Sequence, residues 1–141
     1  PALVTGRGEK ITDLQGFTSS DWNNLHVTVI HPGVHVSTAE AFAACIPELR
    51  NLDWSRLSGN NSQNWRTWLQ NDFQRGVGSL HPEINRVVKH LQNAGADYVQ
   101  MTGTGSAVFG VFRDEVKALE ASHSALAENW SSHTGEMNAC L

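Results

Sequence analysis

Cysteine is scarce in this chain, and the two residues present lie far apart. Only Cys45 and Cys140 occur among 141 residues. Neither belongs to a Cys-x-x-Cys pair, which excludes a zinc ribbon, a thioredoxin-type site and a disulfide scaffold. Each is therefore expected to be a small buried hydrophobe. Two free thiols fit a reducing compartment, so a cytoplasmic protein is expected.

Long apolar runs and an excess of positive charge are also missing. No stretch of roughly 18 apolar residues occurs, and no charged-then-apolar leader opens the chain, so neither a membrane span nor a secretory signal is expected. Ten basic residues against 14 acidic ones give a net charge of -4. Because a mildly acidic chain is not attracted to nucleic acid or to an anionic membrane, partners of both kinds are excluded.

What remains has the composition of a single folded domain. Apolar residues make up 40% of the chain and charged residues 17%, which is too apolar for a disordered segment. A chain of this length buries roughly 70% of its unfolded surface, enough for one core. It opens at Pro1 directly on a strand-like run, which indicates a cut in a longer polypeptide.

Hydrophobic periodicity predicts an α+β fold. The predicted strands are residues 2–5, 11–14, 25–30, 98–101 and 107–112, with a weak strand within 133–141. The predicted helices are residues 39–46, 65–73, 82–94 and 115–130. Without the leading hairpin the order is that of a ferredoxin-like plait, β-α-β-β-α-β, with extra helices in the first connection. Such a domain is an antiparallel sheet with helices covering one face.

The most informative segment is the glycine loop, residues 102–106 (TGTGS), between two predicted strands. Glycine allows backbone N–H groups to approach a ligand closely, and successive N–H groups form an anion-binding concavity. The hydroxyls of Thr104 and Ser106 add donors. The alternative is a hairpin turn that only reverses the chain. The spacing matches neither a P-loop nor a dinucleotide-binding fingerprint.

A second candidate is the strand-to-helix segment, residues 31–37, with the helix start that follows it. Ser37 and Glu40 have the spacing of a capping box, so Ser37 is most simply an N-cap. The hydroxyl of Thr38 is less needed for capping and is freer to meet a ligand. His31 and His35 are not expected to bind metal as a helical i, i+4 pair, because Pro-Gly separates them.

The region around Asn71 leaves several interpretations open. Phe73 is assigned to the core by its spacing from Trp65 and Trp68, which are more simply core residues than a stacking platform. Three roles are open for the side chains of Asn71 and Asp72: exposure to solvent, capping of the following loop, or contact with a site. RNA-binding plait modules are disfavoured because the central strands lack their aromatic and basic signature.

Four segments together resemble a known family. Residues 99–109 (VQMTGTGSAVF) resemble the third motif of the GHMP kinase superfamily. Three further segments are similar to the 4-diphosphocytidyl-2-C-methyl-D-erythritol kinases within it: residues 5–12 (TGRGEKIT), residues 31–42 (HPGVHVSTAEAF), and NDF at 71–73 followed by HPEI at 81–84. Residues 48–66 and the part after residue 113 match poorly.

The resemblance implies a GHMP kinase C-terminal domain over residues 15–141. Residues 1–14 would be a crossover hairpin from an amino-terminal kinase domain. Members transfer the γ-phosphoryl group of ATP, with Mg²⁺, to a hydroxyl of their substrate in non-mevalonate isoprenoid biosynthesis. Their ATP loop and catalytic lysine and aspartate belong to the amino-terminal domain, and none of those patterns occurs here. No catalytic residue or metal ligand is therefore expected in this chain, which alone should be inactive and bind neither ATP nor Mg²⁺ firmly.

The resemblance also implies a site on this half of the enzyme. Thr38, with Ser37, would lie close to the small-molecule substrate. The residues that would line the cleft beside the ATP phosphates are Gly103, Thr104, Gly105 and Ser106. Two other interpretations remain: a stand-alone, non-catalytic plait domain that binds a small phosphorylated ligand, and another GHMP branch such as homoserine or mevalonate kinase.

Overall fold

The computed structural model describes residues 2–13, 23–57 and 61–137. The strands are β1 (Ala2–Thr5), β2 (Lys10–Asp13), β3 (His26–His31), β4 (Tyr98–Met101), β5 (Val108–Phe112) and β6 (Ser131–Glu136). The α-helices are α1 (Thr38–Ala44), α2 (Ser62–Trp65), α3 (Asp72–Leu80), α4 (Pro82–Asn93) and α5 (Glu115–Ala125). Within these ranges no helix is long and apolar enough to cross a bilayer. Cys140 lies outside the described residues, and Cys45 is a partly exposed free thiol.

The first two strands form the predicted hairpin. They pair antiparallel from Ala2 opposite Asp13 to Thr5 opposite Lys10, as a two-stranded sheet of their own. This sheet leaves large apolar side chains in solvent, since Val4 is 55% and Ile11 70% exposed. The hairpin is confirmed, whereas its origin as a crossover from another domain stays a prediction.

The other four strands form an antiparallel sheet in the order β4-β5-β3-β6. With α1 to α4 between β3 and β4, and α5 between β5 and β6, this is the predicted ferredoxin-like plait with extra helices. Because β3 and β5 are antiparallel neighbours, the loop after β3 and the loop between β4 and β5 lie at the same end of the sheet. The last strand is better defined than the sequence indicated, and pairs along the whole of β3.

Helices cover one face of this sheet and form the main core with it. Alternate residues of β3 and β5 point into that core, as a strand buried on one face requires. Thr28, also on this face, is fully buried and donates its hydroxyl hydrogen bond to the carbonyl of Ala118 in α5. The fully buried apolar residues of this core include Ile30, Val77, Ile84, Val87, Leu91 and Val108.

The opposite face of the sheet carries a second apolar cluster, which the sequence did not predict. Trp65 and Trp68 pack there with Tyr98 and Val111. The segment that carries α2 therefore covers part of that face. The predicted helix over residues 65–73 is wrong: α2 ends at Trp65 and α3 begins at Asp72. The reason is that Phe73 packs against the main core. One straight helix cannot direct its apolar side chains to both sides of a sheet.

Candidate functional site

The glycine loop is a tight turn between β4 and β5. The N–H of Thr102 donates to the carbonyl of Ala107 (2.9 Å), and the N–H of Gly105 donates to the carbonyl of Thr102 (3.0 Å). Gly103 and Gly105 have φ angles of 56° and 96°. Glycine adopts such positive φ values without the steric cost that other residues meet. The two glycines therefore fix the path of the loop.

The two glycines have different surroundings. A Cβ atom on Gly105 would lie 2.9 Å from the Sδ of Met101 and 3.6 Å from Cγ1 of Val77, so Gly105 is pressed against the core. A Cβ atom on Gly103 would meet no atom within 4 Å. The part of the loop that can receive a ligand is therefore the tip at Gly103 and Thr104, not the Gly105 side.

Ser106 joins the glycine loop to the strand-to-helix segment. It is only 4% exposed, and its hydroxyl donates to the carbonyl of Val34. Nε2 of His31 lies 3.1 Å from the same hydroxyl oxygen, while Nδ1 of His31 accepts from the N–H of Gly33 (3.1 Å). Because the serine has one proton to donate, the imidazole proton is assigned to Nε2. The two candidate segments are thus held side by side.

These contacts change the roles of two predicted residues. Both ring nitrogens of His31 are engaged in hydrogen bonds within the protein. The hydroxyl of Ser106 is occupied by internal hydrogen bonds, so its contribution to a ligand site is to hold the loop in place. Its direct contact with a phosphate stays a prediction.

The strand-to-helix segment ends in the predicted helix cap. The Ser37 hydroxyl oxygen accepts from the N–H of Glu40 (3.1 Å), which starts α1. Thr38 is exposed, and its hydroxyl has no hydrogen-bond partner among the residues that the structure describes. The Thr38 hydroxyl is therefore available to a ligand at the start of α1. A direct substrate contact of Ser37 stays a prediction.

Phe42 is a candidate that the sequence analysis did not single out. It follows Thr38 by one helical turn, so both side chains lie on the same face of α1. The ring is 63% exposed and makes an edge-to-face contact with Phe73, with 5.0 Å between ring centroids. An exposed aromatic ring held in place beside a free hydroxyl can stack on a planar group. The signal in the sequence was its i, i+4 spacing from Thr38.

Asn71 holds the glycine loop from the opposite side. Its Oδ1 accepts from the N–H of Phe73 (3.0 Å) and caps α3. Its Nδ2 donates to the carbonyls of Met101 and Gly103, both at 2.8 Å. Oε1 of Gln74 accepts from the N–H of Met101 (2.7 Å). Of the open interpretations, Asn71 is thus a cap that also reaches the candidate site.

Asp72, next to Asn71, forms an ion pair with Arg50. Arg50 donates to its Oδ1, and the N–H of Glu48 donates to its Oδ2 (3.2 Å). The hydrogen bond from Arg50 is the main cause that lowers the pKa of Asp72, with the Glu48 N–H adding to it. Nη2 of Arg50 also donates to the Glu48 carboxylate (2.9 Å). This network ties residues 48–50 to the start of α3.

The lowered pKa of Asp72 predicts how the stability of the fold depends on pH. The carboxylate of Asp72 contributes its full stability above the ordinary value of 3.8, and that contribution is lost as pH falls below it toward the folded pKa. Asp72→Asn keeps one of the two acceptor oxygens and does not titrate. Urea midpoints from pH 6 to pH 3 should therefore fall more steeply in the wild type than in this variant. Parallel curves would show that the pair adds nothing to stability.

Thr38 and Gly103 of the candidate site are both exposed. Two cavities, of about 280 and 290 Å³, lie beside Asn71, but neither is lined by Thr38 or by the glycine loop. Among the described residues, no group of three or more His, Cys, Asp or Glu side chains is close enough to hold a metal ion. Thr38, Gly103 and Thr104 carry no carboxylate, which is the protein ligand that Mg²⁺ usually takes beside phosphates. They supply hydrogen-bond donors on one side of a surface.

Comparison with known proteins gives this surface a context. Residues 45–132 match the family model described as GHMP kinases C terminal. The chain is 31% identical over 120 residues to the 4-diphosphocytidyl-2-C-methyl-D-erythritol kinase of Porphyromonas gingivalis, covering 82% of this chain and 41% of that protein. With the enzyme of the same name from Chlorobium luteolum it shares 33% identity over 127 residues, which is 85% of this chain and 42% of that protein.

Solved structures show the same fold. A crystal structure of 4-(cytidine 5'-diphospho)-2C-methyl-D-erythritol kinase matches 99% of this chain and 50% of its own, with a TM-score of 0.77 and 23% identity. Homoserine kinase from Cytophaga hutchinsonii matches with a TM-score of 0.69 and 20% identity, over 97% of this chain and 48% of its own. The chain thus spans about two fifths of the length of the curated relatives described above.

Proposed function

Because the chain belongs to the GHMP kinases, as their C-terminal domain, we propose that it is the C-terminal part of an ATP-dependent kinase acting on 4-diphosphocytidyl-2-C-methyl-D-erythritol. The narrower substrate assignment is supported by relatives with about 30% identity that carry this name. The reaction would move the γ-phosphoryl group of ATP to a hydroxyl of the methylerythritol part. Homoserine kinase shares the fold and is the alternative to be tested.

One observation carries this proposal: Ser106 binds the glycine loop to the segment that leads into Thr38. Its hydroxyl donates to Val34 and lies 3.1 Å from His31, so two segments about 70 residues apart in the chain form one surface. The Thr38 hydroxyl and the loop tip stay available on that surface. Together they supply one wall of a cleft, and the remaining wall belongs to polypeptide outside this chain.

Phosphoryl transfer needs positioning and stabilisation of negative charge more than covalent chemistry from the protein. The Thr38 hydroxyl would donate to a substrate oxygen and orient the acceptor. The N–H of Thr104 would donate to a phosphate oxygen. ATP would supply the phosphoryl group, and Mg²⁺ bound with it outside this chain would neutralise phosphate charge. Phe42 would stack on the cytosine ring.

The domain limits form part of the same proposal. Residues 15–141 are the C-terminal domain, and residues 1–14 are the crossover from an amino-terminal kinase domain. The exposed apolar side chains of Val4 and Ile11 support a covered hairpin, because such residues are normally buried against a partner. A cytoplasmic location is proposed with it, and the partners are the amino-terminal domain and a small-molecule substrate.

Thr38→Ala tests the proposed substrate contact in the full-length product of the gene. It should lower kcat/KM about tenfold, equivalent to ~1.4 kcal/mol for one lost hydrogen bond, and leave the melting temperature nearly unchanged. Ser37→Ala is the comparison, since removal of the cap should cost about 1 kcal/mol of stability. A Thr38→Ala variant that loses stability with no loss of kcat/KM would assign Thr38 a structural role.

The function itself is tested with acceptor substrates. The full-length protein, ATP and Mg²⁺ are incubated separately with 4-diphosphocytidyl-2-C-methyl-D-erythritol, homoserine and mevalonate, and the phosphorylated product is identified by mass spectrometry. We expect turnover of the cytidine-linked substrate and at most trace turnover of the others. Preference for homoserine or mevalonate would move the protein to another branch. No kinase activity with any of them, together with binding of a phosphorylated ligand, would favour a binding module.

A further inference from the structure

The orientation of the glycine loop depends on a side chain outside the loop. Asn71 lies at the N-terminus of α3, about 30 residues before the loop in the chain. Its side-chain amide donates to the carbonyl of Met101, the last residue of β4, and to the carbonyl of Gly103 in the glycine loop. The same side chain caps α3 through its oxygen. One residue thus couples a helix start to the loop tip.

The hydrogen bond from Asn71 to the Gly103 carbonyl also determines where the N–H group of Thr104 points. In a planar trans peptide, the C=O of one residue and the N–H of the following residue point in opposite directions. The peptide from Met101 to Thr102 shows this, because its carbonyl faces Asn71 while its N–H reaches Ala107 on the other side. When Asn71 holds the Gly103 carbonyl, the Thr104 N–H must point away from α3. That N–H has no acceptor within the described part of the chain.

The choice of asparagine as the N-cap of α3 supports a role for Asn71 besides capping. Serine, threonine and aspartate cap helices about as well as asparagine does, since a cap needs only an oxygen acceptor. Asparagine alone among these adds an N–H₂ group, and here both of its hydrogens are used on the loop. Gln74 supports the same strand end by accepting from the Met101 N–H.

We propose that Asn71 is a positioning residue of the kinase, which aims the Thr104 N–H at a phosphate group in the cleft. The inference rests on the proposed function. Asn71 itself touches no reacting atom. Its carboxamide fixes the Gly103–Thr104 peptide in advance, so that the donor does not have to reorient when charge builds up on the transferred group.

Three substitutions separate the cap from the loop contact. Asn71→Ser and Asn71→Asp keep an oxygen that can cap α3 but remove the amide donor, and the carboxylate also repels the two carbonyls. Asn71→Ala removes both. In the full-length enzyme we expect kcat to fall at least about tenfold in all three, with KM for the acceptor changed less than threefold, because a donor needed in the transition state is misplaced. The melting temperature should fall most in Asn71→Ala.

Wild-type kcat in Asn71→Ser or Asn71→Asp would overturn the proposal, and so would activity that follows the melting temperature across the three variants. A readout that needs no activity keeps this result apart from a failure of the proposed function. In ¹⁵N-labelled protein, Asn71→Ser should shift the Thr104 amide resonance and speed hydrogen exchange at Gly105, whose N–H closes the turn. Unchanged loop resonances would reject the positioning role even in an active kinase.

Discussion

Gly105→Val is expected to lower both the stability and the activity of the full-length enzyme. Its Cβ would lie 2.9 Å from the Met101 sulfur and 3.6 Å from Val77, and two further methyl groups would enter the same packed space. The φ angle of 96° adds strain that a β-branched residue cannot relieve. Overpacking and strained backbone each cost about 1–3 kcal/mol, so the total should be about 2–6 kcal/mol.

The loop should also lose its shape, because Gly105 donates to Thr102 within the turn. We therefore expect kcat/KM to fall at least about a hundredfold at a temperature where the variant is still folded, since misplacement by about 1 Å costs that much. Circular dichroism melting and steady-state kinetics measure the two effects.

Gly103→Ala is the matched control for Gly105→Val. Its added methyl group would meet open space, so only the positive φ of 56° is unfavourable, at about 1 kcal/mol. A Gly105→Val protein that melts like the wild type would show that the loop does not press on the core as described. Equal damage from both substitutions would show that the loop tip and the core side do not differ.

The second large effect is the loss of turnover expected for the 141-residue chain alone. The 141 residues do not hold the ATP-loop pattern of the family, and within the described ranges no three or more His, Cys, Asp or Glu side chains cluster closely enough to hold a metal ion. Positioning of two reactants supplies about 7–11 kcal/mol in favourable cases, and half a cleft cannot supply it. We expect this chain to turn over ATP with the cytidine-linked substrate at least about 10⁴-fold more slowly than the full-length protein.

A coupled assay for ADP, confirmed by phosphorus NMR of the product, measures this difference. The amino-terminal part is then added in trans as a separate polypeptide, and partial recovery of activity is expected if the exposed hairpin at Val4 and Ile11 is its docking surface. Turnover by this chain alone, at a rate near that of the full-length protein, would contradict the half-site account.

Local patterns predicted most of the fold because they are set by local chemistry. The Ser37 cap, the proline at the start of α4 and the β-branched run of β3 each determine their element within a few residues. The helix over residues 65–73 failed for a long-range reason. Its tryptophans and Phe73 fit one periodic stripe, but they pack on opposite faces of a sheet, three of whose four strands come later in the chain.

The site was predicted only in outline. Glycine and hydroxyl residues indicated where an anion could bind, but not which groups are free to bind it. Ser106 and Gly105 proved to be packed against the protein, whereas Thr38 and the loop tip face outward. Asn71 could not be assigned to the loop from sequence, because its partners are carbonyl groups about 30 residues away. Backbone carbonyls are present at every residue and leave no pattern.

In the proposed enzyme, the α1 start and the glycine loop are two parts of one wall, which binds the acceptor and a phosphate group. A crystal structure of the full-length protein with a non-hydrolysable ATP analogue and 4-diphosphocytidyl-2-C-methyl-D-erythritol tests it most directly. We expect ligand oxygens within about 3.2 Å of the Thr38 hydroxyl and of the Thr104 nitrogen. The result that would contradict it is well-ordered density for both ligands at another place, with Thr38 and the loop tip facing only solvent.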